Sequence, residues 1–330
     1  MNDDRREIRV TSNIKSRDIE KPKIQIIVPV YNEEEVLSLF VEAIKDCLNK
    51  INCDWKILFV DDGSMDRTPL KLEEITFENE QMYFIQLSRN FGHQAALRCG
   101  YENVEEWGDL MISMDSDLQH RPELIDRLLD AWKSDYDVIH TQKSNTEELN
   151  VFRKWVTKNA YSIIKRFSSI DIVPQSSDFR AFDKLAFKAM LSCRESKPLH
   201  RGLASWVGFN QCSISYVAPK RVKGKSKYNF KQLFSIFERS IFDYSNLPLI
   251  LSLYIGIFAF CLSSVYFLCL LFFVLCGFET PSGWLAIVSM MIFFNSILMI
   301  FMGNIGVYIS KSYDGIRRRP EYIIKEYFKG

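Results

Sequence analysis

Ile24-Gln25-Ile26-Ile27-Val28-Pro29-Val30, followed at once by Tyr31-Asn32-Glu33, is the stretch on which the fold turns. A short run rich in Ile and Val, closing near Pro29, suits a strand buried in a parallel sheet. Downstream, Glu33 to Leu48 repeats apolar residues at helical spacing (Val36, Leu37, Phe40, Ala43, Ile44). Lys56 to Val60 reads as a second strand, followed by Asp61-Asp62-Gly63-Ser64 and a helix from about Thr68. Met82 to Leu87 gives a third strand, Ala95 to Val104 a helix, and Leu110 to Met114 a fourth strand. Pro122 opens another helix at its favoured first position, and Asp137 to Thr141 is the next strand. Strands alternating with helices argue for an α/β fold, a doubly wound and mostly parallel sheet.

In such sheets ligands bind beyond the carboxyl ends of the strands. Four clusters fall there: Tyr31-Asn32-Glu33, Asp61-Asp62, Arg89-Asn90-Phe91-Gly92 and Asp115-Ser116-Asp117. The chain has no GxGxxG or GxxxxGK[ST] loop, which weakens a dinucleotide or P-loop reading. Alternate residues of an extended segment point to one side, so Asp115 and Asp117 can face a single ligand. Mg2+ and Mn2+ prefer oxygen donors and usually share them with phosphates. An ion here would bridge a diphosphate and carry charge that develops on a leaving group. A solvated acidic turn is the plain alternative, and the position at a strand end favours the metal. Asp61 and Asp62 have two available roles. They can form the turn with Gly63 and cap the next helix with Ser64 or Asp66, or accept hydrogen bonds from a base or ribose. The two roles can be divided between the two carboxylates.

The last third of the chain has another character. No Asp, Glu, Lys or Arg occurs from Tyr244 to Phe278, nor from Thr280 to Ser310. Each stretch exceeds the roughly 20 residues a helix needs to span a bilayer, so crossings are expected at 247–277 and 283–310. Lys220, Arg221, Lys223, Lys225, Lys227 and Lys231 precede the first, and Lys311, Arg317, Arg318 and Arg319 follow the second. The connector, Glu279 to Gly283, carries no Lys or Arg. This bias puts both basic flanks, both termini and the enzyme domain (23–229) in the cytoplasm, with 311–330 as a basic tail. Val151 to Phe167 and the 230–246 segment mix large apolar and basic residues, which fits helices lying at the bilayer surface or, alternatively, ordinary core helices. Residues 1–22 lack an apolar signal-peptide core and are expected as a disordered tail. The net charge of +1 gives no argument for nucleic acid, and the eight cysteines contain no CxxC, so scattered reduced thiols are expected.

Pro29-Val30-Tyr31-Asn32-Glu33, Val60-Asp61-Asp62-Gly63-Ser64, Ser88-Arg89-Asn90-Phe91-Gly92 and Met114-Asp115-Ser116-Asp117-Leu118-Gln119 occur in order. Together they resemble the family 2 glycosyltransferases of GT-A fold. Ser177-Asp178-Phe179-Arg180, Arg201-Gly202 and Gly224-Lys225-Ser226-Lys227-Tyr228 narrow the likeness. With two C-terminal spans, the chain resembles the polyprenyl-phosphate glycosyltransferases, which include bactoprenol glucosyltransferases and relatives of dolichol-phosphate mannose synthase. The resemblance implies inverting transfer of one sugar from a nucleotide-sugar to a polyprenyl phosphate at the cytoplasmic membrane. UDP-glucose and undecaprenyl phosphate are the leading pair, with an amino-arabinose or mannose donor as runner-up.

The resemblance further implies that Pro29, Tyr31, Glu33, Asp61 and Asp62 hold the nucleotide. Asp115 and Asp117, with Gln119, would hold Mg2+ or Mn2+ and the diphosphate. A lipid phosphate is already ionised, so it needs cations to position it rather than a general base. Arg180, Arg201 and Arg221 are the candidates, because guanidinium forks match phosphate oxygens, with Lys227 a weaker one. Asp178 would orient Arg180 or face the sugar. His93 and His120 lie near the pocket loops as structural or substrate-contacting residues. Many relatives place an acidic residue where this chain has His120, a departure that bears on the surroundings of the metal. A homo-oligomer is expected on resemblance alone. A processive polysaccharide synthase is disfavoured because the chain has no Q-x-x-R-W motif after the acidic pair. A carrier-binding membrane protein without turnover is disfavoured by the intact acidic pair.

Overall fold

The Ile- and Val-rich run forms β1 (Lys23–Val30), buried along nearly its whole length. A computed structural model describes residues 17, 19–105, 107–143, 176–193, 200–217, 254–259, 261–262, 265–266, 268–269, 272, 275–276, 283–317 and 319–329. The chain divides into two units. One comprises Met1–Asn150, Asp171–Ser226 and Pro320–Gly330, and the other Val151–Ile170 and Lys227–Arg319.

In the first unit β1 is followed by α1 (Leu37–Leu48), β2 (Asp54–Asp61), α2 (Thr68–Glu78), β3 (Met82–Leu87), α3 (His93–Asn103) and β4 (Leu110–Ser113). Next come α4 (Leu124–Lys133), β5 (Val138–Lys143), β6 (Ser176–Asp183), α5 (Lys184–Ser192), α6 (His200–Trp206) and β7 (Gln211–Tyr216). The sheet has eight strands in the order β7-β5-β6-β4-β1-β2-β3-β8, with β8 formed by Ile324–Lys329. Strands β4, β1, β2 and β3 run parallel, as expected of a doubly wound sheet, while β6 enters antiparallel to β4 and β5.

The alternation of β1 explains why helices cover both faces. Ile24, Ile26, Val28 and Val30 pack with Phe40 and Ile44 of α1, Leu72 of α2 and Leu128 and Trp132 of α4. Ile27 points the other way, into Leu97 and Tyr101 of α3, Phe187 of α5 and Leu203 of α6. Each large side chain so buried contributes roughly 1.5–3 kcal/mol. Helix α3 approaches closely because Gly100 faces β1: a Cβ there would meet Ile27 Cγ2 at 2.3 Å.

Two terminal segments differ from expectation. Arg17, within the expected tail, donates from Nη1 to the Trp132 carbonyl at 2.7 Å and pairs with Asp137. The expected basic tail contains β8, which lies antiparallel to β3 and stacks Phe328 on Phe84 with ring centroids 4.4 Å apart. Ile324, Tyr327 and Phe328 are mixed there with Lys325, Glu326 and Lys329, as an exposed edge strand tolerates, and this hides the strand among basic neighbours. The same segment reaches the sheet's carboxyl end, where the Ser88 N–H donates to the Ile323 carbonyl at 2.9 Å.

In the second unit α7 (Trp284–Arg317) is a helix of 34 residues, about 51 Å long. It contains the expected 283–310 stretch almost entirely and runs on through the first of the basic residues. Its Phe293–Arg317 part, of mean hydropathy 1.5, is the one helix among the described residues long and apolar enough to cross a membrane. The 247–277 stretch is helical at most of the scattered positions described, and two crossings are not established by it. The expected interfacial segments 151–167 and 230–246, together with Arg221 and Lys227, lie outside the described residues.

Candidate active site

The loops that leave β1 and β2 are laced together. The Asn32 N–H donates to Ser64 Oγ, and the Met65 N–H returns to Asn32 Oδ1, both at 2.9 Å. The Glu33 N–H donates to Thr68 Oγ1 at 2.9 Å. Asn32 tolerates the positive φ of 54° that this turn requires. Tyr31 is exposed beside this lattice, whereas Pro29 is buried within β1 opposite Val60. Pro29 therefore shapes the strand end and does not line its surface.

The adjacent aspartates divide the work. Both Asp62 oxygens accept backbone N–H groups, from Phe91 at 2.7 Å and Gly92 at 2.9 Å, fixing the loop between β3 and α3. Asp61 Oδ1 accepts the Ser64 N–H at 3.1 Å, while its buried Oδ2 has no hydrogen-bond partner among the described residues. Burial pushes both carboxyls above their ordinary values, against those hydrogen bonds. Asp61 thus buries a carboxylate with the Ser64 and Gln86 side chains close by, and Asp62 is an anchor for the loop.

Gly63 makes this arrangement fit. Its φ is +68°, and a Cβ would lie 2.4 Å from the Arg89 carbonyl carbon, which is backbone and cannot swing aside. Gly63→Ala is expected to cost about 1–3 kcal/mol and to displace the 88–92 loop. Denaturant unfolding together with nucleotide titration checks this, and wild-type values in both would contradict it.

The acidic pair follows β4. Asp117 Oδ1 accepts the Gln119 N–H at 3.0 Å and closes a turn in which Leu118 has φ 59°. Asp115 Oδ1 is buried with no hydrogen-bond partner among the described residues. His93 Nε2, at the first turn of α3, stands 3.5 Å from Asp115 Oδ1 and 3.4 Å from Asp178 Oδ2. The Asp178 and Asp115 carboxylates raise the His93 pKa above its usual value, outweighing burial. Beneath the pair, the Asp115 N–H donates to Nδ1 of the buried His120, whose Nε2 meets Ser177 Oγ.

Asp178 reaches the acidic pair because β6 lies beside β4 with Arg180 opposite Ser113, and Ser113 Oγ donates to the Asp178 carbonyl at 2.7 Å. Arg201 clasps the buried carboxylate in bidentate fashion, Nε to Oδ1 at 3.0 Å and Nη2 to Oδ2 at 2.8 Å. Burial opposes the charged form of Asp178, but His93, Arg201 and Arg180 outweigh it and hold the carboxyl well below the usual range.

The two arginines in this cluster then separate. Arg201 keeps 43% of its side chain exposed and remains a candidate phosphate ligand. Arg180 is 0% exposed, donating to the Ser177 carbonyl at 2.7 Å and the His200 carbonyl at 3.1 Å. Its expected contact with a lipid phosphate is corrected: a guanidinium shut in among carbonyls supports Asp178 from below. Its conspicuous place in a motif concealed that β6 runs through the sheet's interior.

Two buried imidazoles sit near Arg180, His140 opposite it on β5 and His200 through its carbonyl. Burial, with the nearby Arg180 charge, pushes each down to about 4. The folded values lie below the unfolded one of ~6.5, so the unfolded chain takes up protons first as pH falls. Stability is expected to be full above pH ~6.5 and to drop toward pH ~4, by on the order of 2–3 kcal/mol per imidazole. Unfolding at pH 7 and pH 5 tests this; a His200→Gln variant should show a flatter dependence, and an equal one would contradict the assignment.

Among the described residues no group of three or more His, Cys, Asp or Glu could hold a metal ion by itself. The donor set instead fits a cation that takes one or two carboxylates and completes its shell with phosphates and water, the usual habit of Mg2+. Asp115 Oδ1, which has no hydrogen bond among the described residues and faces His93 Nε2 at 3.5 Å, is the donor such an ion needs. The part played by His93 was hard to foresee: an isolated His after Gly92 gives no sign that the β4–β6 pairing brings two carboxylates to it.

Comparison with known proteins adds to this geometry. Residues 25–191 match the model for glycosyl transferase family 2. The chain is 33% identical over 301 residues to the uncharacterized glycosyltransferase YkcC of Bacillus subtilis (strain 168), covering 91% of this chain and 93% of that protein. It is 30% identical over 309 residues to an undecaprenyl-phosphate 4-deoxy-4-formamido-L-arabinose transferase of Pectobacterium atrosepticum, covering 92% and 93%. It is 27% identical over 308 residues to the SfII prophage-derived bactoprenol glucosyl transferase of Shigella flexneri, covering 93% and 99%.

Proposed function

This chain belongs to glycosyl transferase family 2, and we propose that it moves one sugar from a nucleotide-sugar to a polyprenyl phosphate with inversion at the anomeric carbon. The observation that carries the reading is the carboxylate of Asp115 at the carboxyl end of β4, whose buried Oδ1 has no hydrogen bond among the described residues and faces His93 at 3.5 Å, close to Asp178 and Arg201. Full-length similarity to proteins named for bactoprenol and undecaprenyl phosphate supports the acceptor class. UDP-glucose with undecaprenyl phosphate is the leading pair. The similarity to an arabinose-type transferase favours a second donor class, a UDP-linked amino-arabinose derivative.

In this reading Tyr31, Glu33 and Asp61 contact the nucleotide. Asp115 and Asp117, with Gln119 nearby, hold Mg2+ or Mn2+. When bound, the cation neutralises charge on the departing diphosphate. Arg201, kept in place by Asp178, positions the acceptor phosphate, and Arg221 and Lys227 are proposed as further contacts. A phosphate oxygen is already anionic, so none of these residues has to remove a proton before attack.

The site is proposed to work at the cytoplasmic face of a membrane crossed twice by the C-terminal third, in a homo-oligomer. Release of nucleoside diphosphate tests the proposal, assayed over a panel of nucleotide-sugars with and without undecaprenyl phosphate. Release that requires the lipid supports it, and equal release without lipid contradicts the acceptor.

A further inference from the structure

We infer that His120 is a positioning residue that fixes the backbone of Asp115 and so presents its carboxylate to the cation. The inference rests on the cation reading of the preceding section and adds a residue outside the acidic pair. Nδ1 of His120 accepts the Asp115 N–H at 2.9 Å, which requires the proton of a neutral ring to sit on Nε2. Nε2 then donates to Ser177 Oγ, and that hydroxyl also accepts the Phe179 N–H at 3.3 Å. The ring stacks on Phe179 with centroids 5.2 Å apart and 26° between planes, and meets the edge of Tyr216. Its side chain is buried. The Asp115 N–H, which can only donate, therefore fixes the tautomer of His120, and Ser177 of β6 anchors the far side of the ring by accepting from Nε2.

The arrangement gives the imidazole a task that an aromatic ring of the same size cannot perform. Phenylalanine would fill the space beside Phe179 but would leave the Asp115 N–H without an acceptor. Asparagine places Oδ1 near the position of Nδ1 and restores the acceptor without the ring. Groups that orient metal-binding residues from behind typically change metal affinity by about 10–100-fold when removed.

The test measures Mn2+ affinity by electron paramagnetic resonance on the full chain in detergent, with UDP present and no sugar transfer required. His120→Phe is expected to weaken Mn2+ binding by about 10–100-fold, and His120→Asn to recover most of the wild-type affinity. Thermal unfolding identifies a variant that is simply misfolded. In that event Ser177→Ala replaces His120→Phe: it leaves the Nε2–H without its partner and loosens the ring that holds Asp115, and Mn2+ affinity is expected to fall. Wild-type Mn2+ affinity in folded His120→Phe, or in Ser177→Ala where it serves instead, overturns the inference, provided Asp115→Asn has lost binding. Wild-type affinity in Asp115→Asn overturns the cation site itself.

Discussion

Asp115→Asn lowers the rate of sugar transfer by roughly 10²–10³-fold while leaving the fold intact. That range is what losing one electrostatic stabiliser of developing charge typically costs, about 2.7–4 kcal/mol in barrier height. The variant is informative because Asn is nearly isosteric with Asp and keeps the backbone N–H that donates to His120. What it loses is the negative charge on an oxygen that accepts no hydrogen bond from a described residue and faces His93 at 3.5 Å. Asp117→Asn should act in the same direction, since its amide oxygen can still accept the Gln119 N–H and preserve the turn. Initial rates and thermal unfolding of the two variants check this together. Unaltered transfer by Asp115→Asn would remove the cation from the account, whereas loss of both fold and transfer would assign Asp115 a structural role.

The second large effect is on stability. Asp178→Ala strands the fully buried Arg180 guanidinium without its carboxylate, and breaking a buried pair in this way typically costs about 3–5 kcal/mol. The same change frees Arg201 from its bidentate clasp. Combining Asp178→Ala with Arg180→Met should recover part of the loss, because removing both charges leaves no uncompensated ion in the interior. Denaturant unfolding of the single and double variants decides the matter. A single variant within about 1 kcal/mol of wild type would mean that water or rearrangement satisfies Arg180. A double variant no better than the single one would point to packing as the role of Arg180.

The parallel half of the sheet was legible because each strand buries both faces, so its apolar run stands out against a polar turn. Met82 to Leu87 coincides with β3, and the helix expected from about Thr68 begins there. Strands that carry charges were harder to read. β8 lies within a basic segment, and β6 carries Asp178 and Arg180, whose charges mask a strand that the interior accepts only because the two ions pair. The candidate site was legible as a set of strand-end motifs, since topology alone brings those ends together. Which carboxylate does what was not: Asp61 and Asp62 are adjacent and chemically identical, and only the position of the Phe91 and Gly92 amides makes Asp62 the anchor. Arg180 and Arg201 were equally alike as letters. The antiparallel entry of β6 buries the first, and the short helix α6 leaves the second partly open.

Mass spectrometry of the lipid product tests the central claim most directly. Purified full-length protein would be offered undecaprenyl phosphate, Mg2+ or Mn2+ and a panel of nucleotide-sugars, with parallel samples in excess chelator. The account predicts one new species, undecaprenyl phosphate plus a single sugar residue, that disappears with chelator and in Asp115→Asn. A product carrying a sugar chain, or an undiminished product in chelator, would contradict it.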